Sequence, residues 1–278
     1  MLVVAPPING AHRWFLLGPI SLQPSELAKL AVCVWACSYL ARRPAPRTMA
    51  ELMKPLGLVV GLFAVLVLLE PDLGTTIALC VMVAGILLVA GVPMRLFLLA
   101  GSFAVAFGAA AIYMEPYRRA RFLSFLDPWQ DPQGAGFQTV QAIIGMGSGG
   151  ITGEGLGHGV QKIFYLPEAH TDMIFAIVGE ELGLIGSVLV IAAFGVFAWA
   201  GYRIALACRD PFGKLLAAGI TTLVCGQAAV NLMAVLGVAP LTGIPLPFVS
   251  YGGSSLIVLL GAVGVLLNIA VNGKVVEA

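Results

Sequence analysis

The stretch Tyr165–Tyr202, YLPEAHTDMIFAIVGEELGLIGSVLVIAAFGVFAWAGY, decides the fold. Its first half gathers Glu168, His170, Asp172, Glu180 and Glu181, and from Leu182 to Tyr202 it carries no charge. The second half is long enough to cross a hydrocarbon core, which needs about 20 helical residues. Charged side chains beside such a run are costly to retain and are functional candidates by default. The pattern predicts a helix from near Thr171, with Asp172, Ala176 and Glu180 along one face. An aspartate in a first helical turn also serves as an ordinary cap for the helix dipole. A carboxylate at a partly apolar cavity mouth suits a general base, and this is the sharper reading of Asp172.

Working outward, the chain has 278 residues, 59% hydrophobic and 10% charged, with mean hydropathy +0.98. Apolar runs recur to the C-terminus, so a single signal peptide does not explain them. The expected fold is all-α: a polytopic membrane helix bundle of about seven spans, forming one domain over 1–278. The spans fall at 25–41, 55–70, 73–91, 94–113, 173–201, 213–236 and 251–271, with a large loop at 114–171 between the fourth and fifth. One set of short loops holds Arg42, Arg43, Arg47, Lys54, Arg95, Arg203, Arg209, Lys214 and Lys274, and the positive-inside rule assigns it to the cytoplasm. The loop 114–171 is then external. So is the N-terminus, which has no span ahead of it and therefore predicts a helical region upstream. Net charge is +1, which gives no field for nucleic acid. Cys33, Cys37, Cys80, Cys208 and Cys225 form no CxxC pair and read as small apolar residues in helices.

The loops carry the polar chemistry. Arg13 beside Trp14 suits an anionic head group next to an interfacial aromatic. Pro24-Ser25-Glu26 is a helix start, with Glu26 and Lys29 able to share a face as an interfacial ion pair or as the polar wall of a cavity. Arg118 and Arg121 offer guanidinium groups for a phosphate or diphosphate, or form a solvated basic run. The loop also holds Lys162. Its aromatic and aliphatic residues predict that it folds back on the bundle rather than staying disordered. Gly145–Gly159, GMGSGGITGEGLGHG, contains a formal GxGxxG, but no strand precedes it. Its glycines are better explained by tight turns against the bundle or by close approach of a substrate. His158 and His170 with Glu154 or Glu168 match no strong metal signature, whereas a divalent cation on a substrate diphosphate fits hard-cation chemistry. Gln227 and Asn231, four apart in the sixth span, predict hydrogen bonds between helices. Pro240–Ser255, PLTGIPLPFVSYGGSS, is a stiff turn whose role is structural or substrate-lining.

The segments NGAHRW, LQPSELAKL, EPDLGT, EPYRRARF, DPWQDPQGAGFQ, GEGLGHGVQKIFYLPEAHTDMIFAIVGEELG and GIPLPFVSYGGSS run in order from Asn9 to Ser255. Together they resemble the SEDS family of bacterial shape, elongation, division and sporulation proteins, and its division and sporulation branches more than its elongation branch. The family typically has ten spans. This chain matches the last seven, either through lost upstream sequence or as a short form. The resemblance implies a peptidoglycan glycosyltransferase of the plasma membrane, working on the extracytoplasmic face and polymerising lipid II. It implies Asp172 as the general base and undecaprenyl diphosphate as the leaving group. It offers Arg13, Arg118, Arg121 and Lys162 for the diphosphate, and Glu26 and Lys29 for the cavity wall. Trp14, Glu168 and His170 complete the candidate substrate contacts. No protein-bound cofactor is implied beyond magnesium or manganese carried by the diphosphate. The implied partners are a class B penicillin-binding protein transpeptidase and other proteins of the division machinery. Two other classes compete: a lipid II flippase, and a scaffold without catalysis. A flippase needs a continuous polar route across the bilayer, and the charges here cluster on one side.

Overall fold

The computed structural model describes residues 15–17, 20–70, 72–114, 116–163, 166–167 and 169–273. Two short strands, β1 (Phe15–Leu17) and β2 (Ile20–Leu22), pair antiparallel ahead of α1 (Pro24–Ala41). α2 (Met49–Leu52) runs through a π-helical turn into α3 (Leu58–Leu69). α4 (Leu73–Val89), α5 (Met94–Met114), α6 (Pro116–Leu126) and α7 (Phe137–Gly149) follow. α8 (Ile174–Ala207), α9 (Pro211–Val235) and α10 (Gly253–Asn272) complete the order.

Among the described residues, five helical runs are long and apolar enough to cross a membrane: Met49–Leu69, Met94–Met114, Ile174–Ala207, Pro211–Val235 and Gly253–Asn272. The other two expected spans are helices as well. Leu73–Val89 is apolar but shorter, and Pro24–Ala41 opens on polar residues. Outward faces carry Leu62 and Leu66 of α3, Phe103 of α5, and Leu184 and Val188 of α8. Apolar faces of this kind promote association in water. Against acyl chains, which are as apolar as leucine, they are the ordinary state of a spanning helix.

The chain divides into two compact units. The first comprises Met1–Phe97, Val196–Gly226 and Gly252–Ala278. In it α1 turns Val32, Cys33, Ala36, Cys37 and Leu40 inward at helical spacing and packs on α4 and α10. Small residues let the helices approach: Gly219 meets Cys33 and Ile86, Gly85 meets Thr222, and Gly201 meets Thr221. The Thr221 and Thr222 hydroxyls donate back to Ala217 O (2.7 Å) and Ala218 O (2.8 Å), which satisfies them inside an apolar helix.

The second unit comprises Leu98–Gly195 and Gln227–Tyr251. Its core joins Ala142 of α7, Met173, Phe175 and Ile177, and Ala228, Leu232 and Val235 of α9, with Leu246 from the loop that follows. The segment 114–171 is not one loop. It folds into α6, α7 and a 3₁₀ turn at Gln161–Ile163.

Two features of α8 depart from the sequence reading. The helix starts at Ile174, not near Thr171, so Asp172 lies on the preceding turn and not on a helical face with Ala176 and Glu180. The reason is that the carbonyls ahead of Met173 are taken by other donors. Tyr251 N–H donates to His170 O (2.9 Å), the Ser250 hydroxyl to Thr171 O (2.5 Å) and Asn231 Nδ2 to Asp172 O (2.7 Å). Met173 O accepts from Ala176 N–H (3.0 Å). The helix also breaks at Gly183, whose φ of 65° and ψ of −159° are open only to glycine. There the glycine-rich segment supplies what the break removes. Glu154 N–H donates to Glu180 O (3.0 Å) and Gly155 N–H to Glu181 O (3.0 Å). In return Leu184 N–H donates to Gly150 O (2.9 Å) and Ile185 N–H to Ile151 O (3.2 Å).

Candidate active site

The second unit places Asp172, half-buried, on the 169–173 turn. The Thr171 hydroxyl donates to its Oδ1 (3.3 Å). Behind it lies the loop after α9. Asn231 Nδ2 donates both to Asp172 O and to Ile244 O, each at 2.7 Å. One turn earlier, Gln227 Nε2 donates to Pro245 O (3.0 Å). Ser250 Oγ accepts from Leu246 N–H (2.7 Å) while donating to Thr171 O. Phe248 takes a φ of 64°, an uncommon conformation for a bulky residue, in the turn that delivers Ser250. Gln227 and Asn231 were expected to bond between helices. Their amide NH₂ groups donate to loop carbonyls, and that of Asn231 holds the turn that carries Asp172.

The neighbouring acids are occupied by the fold. Glu180 is 2% exposed, and its Oε1 accepts from Val160 N–H (2.7 Å) and Gln161 N–H (3.2 Å), capping the 3₁₀ turn. Glu181 pairs with Lys162. The side chain of Lys162, expected at a diphosphate, is 35% exposed and engaged in this pair. His170 is exposed and meets Tyr251 edge-on, with ring centroids 5.9 Å apart.

Arg118 and Arg121 lie on α6, the Arg121 side chain half-buried; the side chain of Arg118 falls outside the described residues. Arg13, Trp14 and Glu168 also fall outside them. Glu26 and Lys29 belong to the first unit. Lys29 Nζ donates to Glu26 Oε1 at 2.8 Å, with side chains 2% and 3% exposed, so this pair is buried rather than interfacial. Gln23, Asp72 and Ser254 meet in the same unit, Gln23 N–H donating to Ser254 Oγ (3.3 Å) and Gln23 Nε2 to Asp72 Oδ2 (3.4 Å). Among the described residues, no group of three or more His, Cys, Asp or Glu is placed to hold a metal.

Sequence reasoning singled out Asp172 but missed Asn231 and Ser250 as the groups that hold its turn. The signal was present in two amide side chains one turn apart inside an apolar span.

Apolar helices of spanning length, with a half-buried carboxylate on a clamped turn ahead of one of them, define a multi-pass membrane protein. The chain belongs to the FtsW–RodA–SpoVE family of cell cycle proteins, whose model matches residues 1–275. It is 40% identical to a probable peptidoglycan glycosyltransferase FtsW of Thiomicrospira cyclica, over 100% of this chain and 72% of that protein. It is 41% identical to stage V sporulation protein E of Bacillus subtilis, over 97% of this chain and 75% of that protein. Among solved structures it resembles, with a TM-score of 0.80 and 35% identity, a chain from a peptidoglycan synthase complex that coordinates polymerization and crosslinking. That match covers 98% of this chain and 76% of the other.

Proposed function

We propose that this protein is a peptidoglycan glycosyltransferase of cell division that polymerises lipid II at the extracytoplasmic face of the plasma membrane. The observation that carries the reading is Asp172. It is a carboxylate at the loop-to-span junction, half-buried, on a turn whose successive carbonyls are fixed from outside. That is the placement a base needs: within reach of water-facing sugar, yet held against motion.

In this reading the 4-hydroxyl of the lipid II sugar attacks the anomeric carbon of the lipid-linked glycan. Asp172 takes the hydroxyl proton as the new glycosidic C–O bond forms. The bond from the anomeric carbon to the diphosphate oxygen breaks with its electron pair, and undecaprenyl diphosphate leaves. The substrate brings its own leaving group, so no nucleotide is needed. Arg118 and Arg121, three apart on one helix, are our choice for the diphosphate charge, with Arg13 as a further contact. Lys162 would join them only by leaving Glu181. A divalent cation carried by the substrate would offset the charge of its diphosphate oxygens. The relative within a complex that couples polymerization to crosslinking supports a transpeptidase partner for this chain too.

Asp172→Asn keeps the shape and removes the basicity. Glycan polymerisation by the reconstituted variant is expected to fall about 100-fold or more. A folded Asn variant that forms polymer at the unaltered rate would rule out the base assignment.

A further inference from the structure

We infer that Asn231 and Ser250 are positioning residues for Asp172, holding the backbone on which its carboxylate sits. The inference rests on the reading of Asp172 as the general base.

Three consecutive carbonyls, those of His170, Thr171 and Asp172, stand where a helix would take them with N–H groups four residues on. Each is claimed from elsewhere instead. Tyr251 N–H takes the first (2.9 Å), the Ser250 hydroxyl the second (2.5 Å) and Asn231 Nδ2 the third (2.7 Å). The donors come from far along the chain, Asn231 being 59 residues and Ser250 79 residues from their acceptors.

Chemistry fixes the orientation of Asn231. Both groups it faces, Asp172 O and Ile244 O, are acceptors, so only the NH₂ end of the amide can meet them. Its Oδ1 is in consequence buried without a hydrogen-bond partner. An orphaned buried acceptor works against stability, and native folds keep few of them. Here the arrangement serves the two donors. Ser250 acts as a relay, its oxygen accepting from Leu246 N–H while its one proton goes to Thr171 O. Gln227, one helical turn before Asn231, fixes Pro245 O between these points. The result is one network from 227–231 through 244–246 and 250–251 to the 170–172 turn. Its anchor residues stand on a helix, which places a site better than a free loop does.

A base acts only from within hydrogen-bond reach of the hydroxyl it deprotonates, and a displacement of about 1 Å can cost about 100-fold. Loosening the turn should therefore slow the chemical step while leaving substrate contacts in place.

The test uses lipid II as substrate and the full chain in liposomes. Asn231→Ala and Ser250→Ala should each lower kcat by about 10- to 100-fold with KM changed by less than about twofold. Ser250→Thr keeps the hydroxyl and should restore kcat to within about threefold of the unaltered chain. Alanine variants that keep kcat, a loss confined to KM, or a loss that Ser250→Thr shares would each overturn the inference. If Asn231→Ala does not fold, the Ser250 pair decides. Asp172→Asn in the same assay separates the two readings. An active Asp172→Asn chain defeats the base assignment, whereas an inactive one beside fully active Asn231→Ala and Ser250→Ala chains defeats the positioning role alone.

Discussion

At the scale of single residues, the protein buries charge in two ways. Glu180 is buried against peptide N–H groups, which satisfy a carboxylate without a counter-charge. Glu26 and Lys29 are buried against each other, with Glu26 Oε2 lacking a hydrogen-bond partner. Removing one member of a buried pair strands the other charge, typically at a cost of about 3–5 kcal/mol. Lys29→Met should therefore lower thermal stability in detergent sharply, and Glu26→Gln added to it should recover most of the loss. A double variant no more stable than Lys29→Met would show that the pair is not what the single change breaks. The i, i+3 spacing of this pair was legible in the sequence, but its burial was not, because burial depends on which helices pack over the start of α1. Asp172 stood out in the sequence for a different reason: a carboxylate beside a long apolar run is costly to keep. Asn231 and Ser250 did not, since spacing along a helix does not say which carbonyl an amide will meet.

At the scale of elements, the apolar runs located the long helices, because hydrocarbon thickness demands long uninterrupted ones, but Met49–Leu69 starts six residues before the expected span and Ile174–Ala207 ends six residues after it. The break in α8 left no such mark. Glu180-Glu181-Leu182-Gly183-Leu184 reads as continuous helix, and the break becomes favourable only because the glycine-rich segment supplies the missing hydrogen bonds. Glycines of this segment let it pack directly against the backbone of α8. A Cβ at Gly149 would strike the carbonyl of Gly179, and one at Gly153 that of Glu181. Gly183→Ala should destabilise by at least about 1–3 kcal/mol from its positive φ alone, with the clash against Gly153 N and Ile151 O adding to it. Gly147, by contrast, is helical with open space around its Cβ position, so Gly147→Ala should be neutral or stabilise by about 0.4–1 kcal/mol. Thermal unfolding of the two variants side by side checks this, and equal effects would mean that the interlock at Gly183 is not strained by a side chain. α6 and α7 were missed for a plain reason. Amphipathic helices of 11 and 13 residues, rich in arginine or glycine, do not stand out inside a loop bounded by spans.

At the scale of the molecule, the account requires that the segment carrying Asp172 face outward and the turn between α8 and α9 face the cytoplasm. In a chain freed of its own cysteines, a single cysteine replacing Ala135 should react with an impermeant reagent on whole cells, and one replacing Asp210 should not. The reverse labelling would overturn the sidedness drawn from the lysines and arginines. The apolar stretch of α9 is 83% buried and that of α5 is 6% buried. A fold of this kind could serve catalysis, transport or scaffolding, and only the products distinguish them. The most direct measurement is therefore to supply lipid II to the purified chain in liposomes and to follow glycan strands and released undecaprenyl diphosphate together. The account predicts strands longer than the starting disaccharide, one undecaprenyl diphosphate released for each glycosidic bond formed, and loss of both with Asp172→Asn. Lipid II that crosses the bilayer without forming any strand would contradict it.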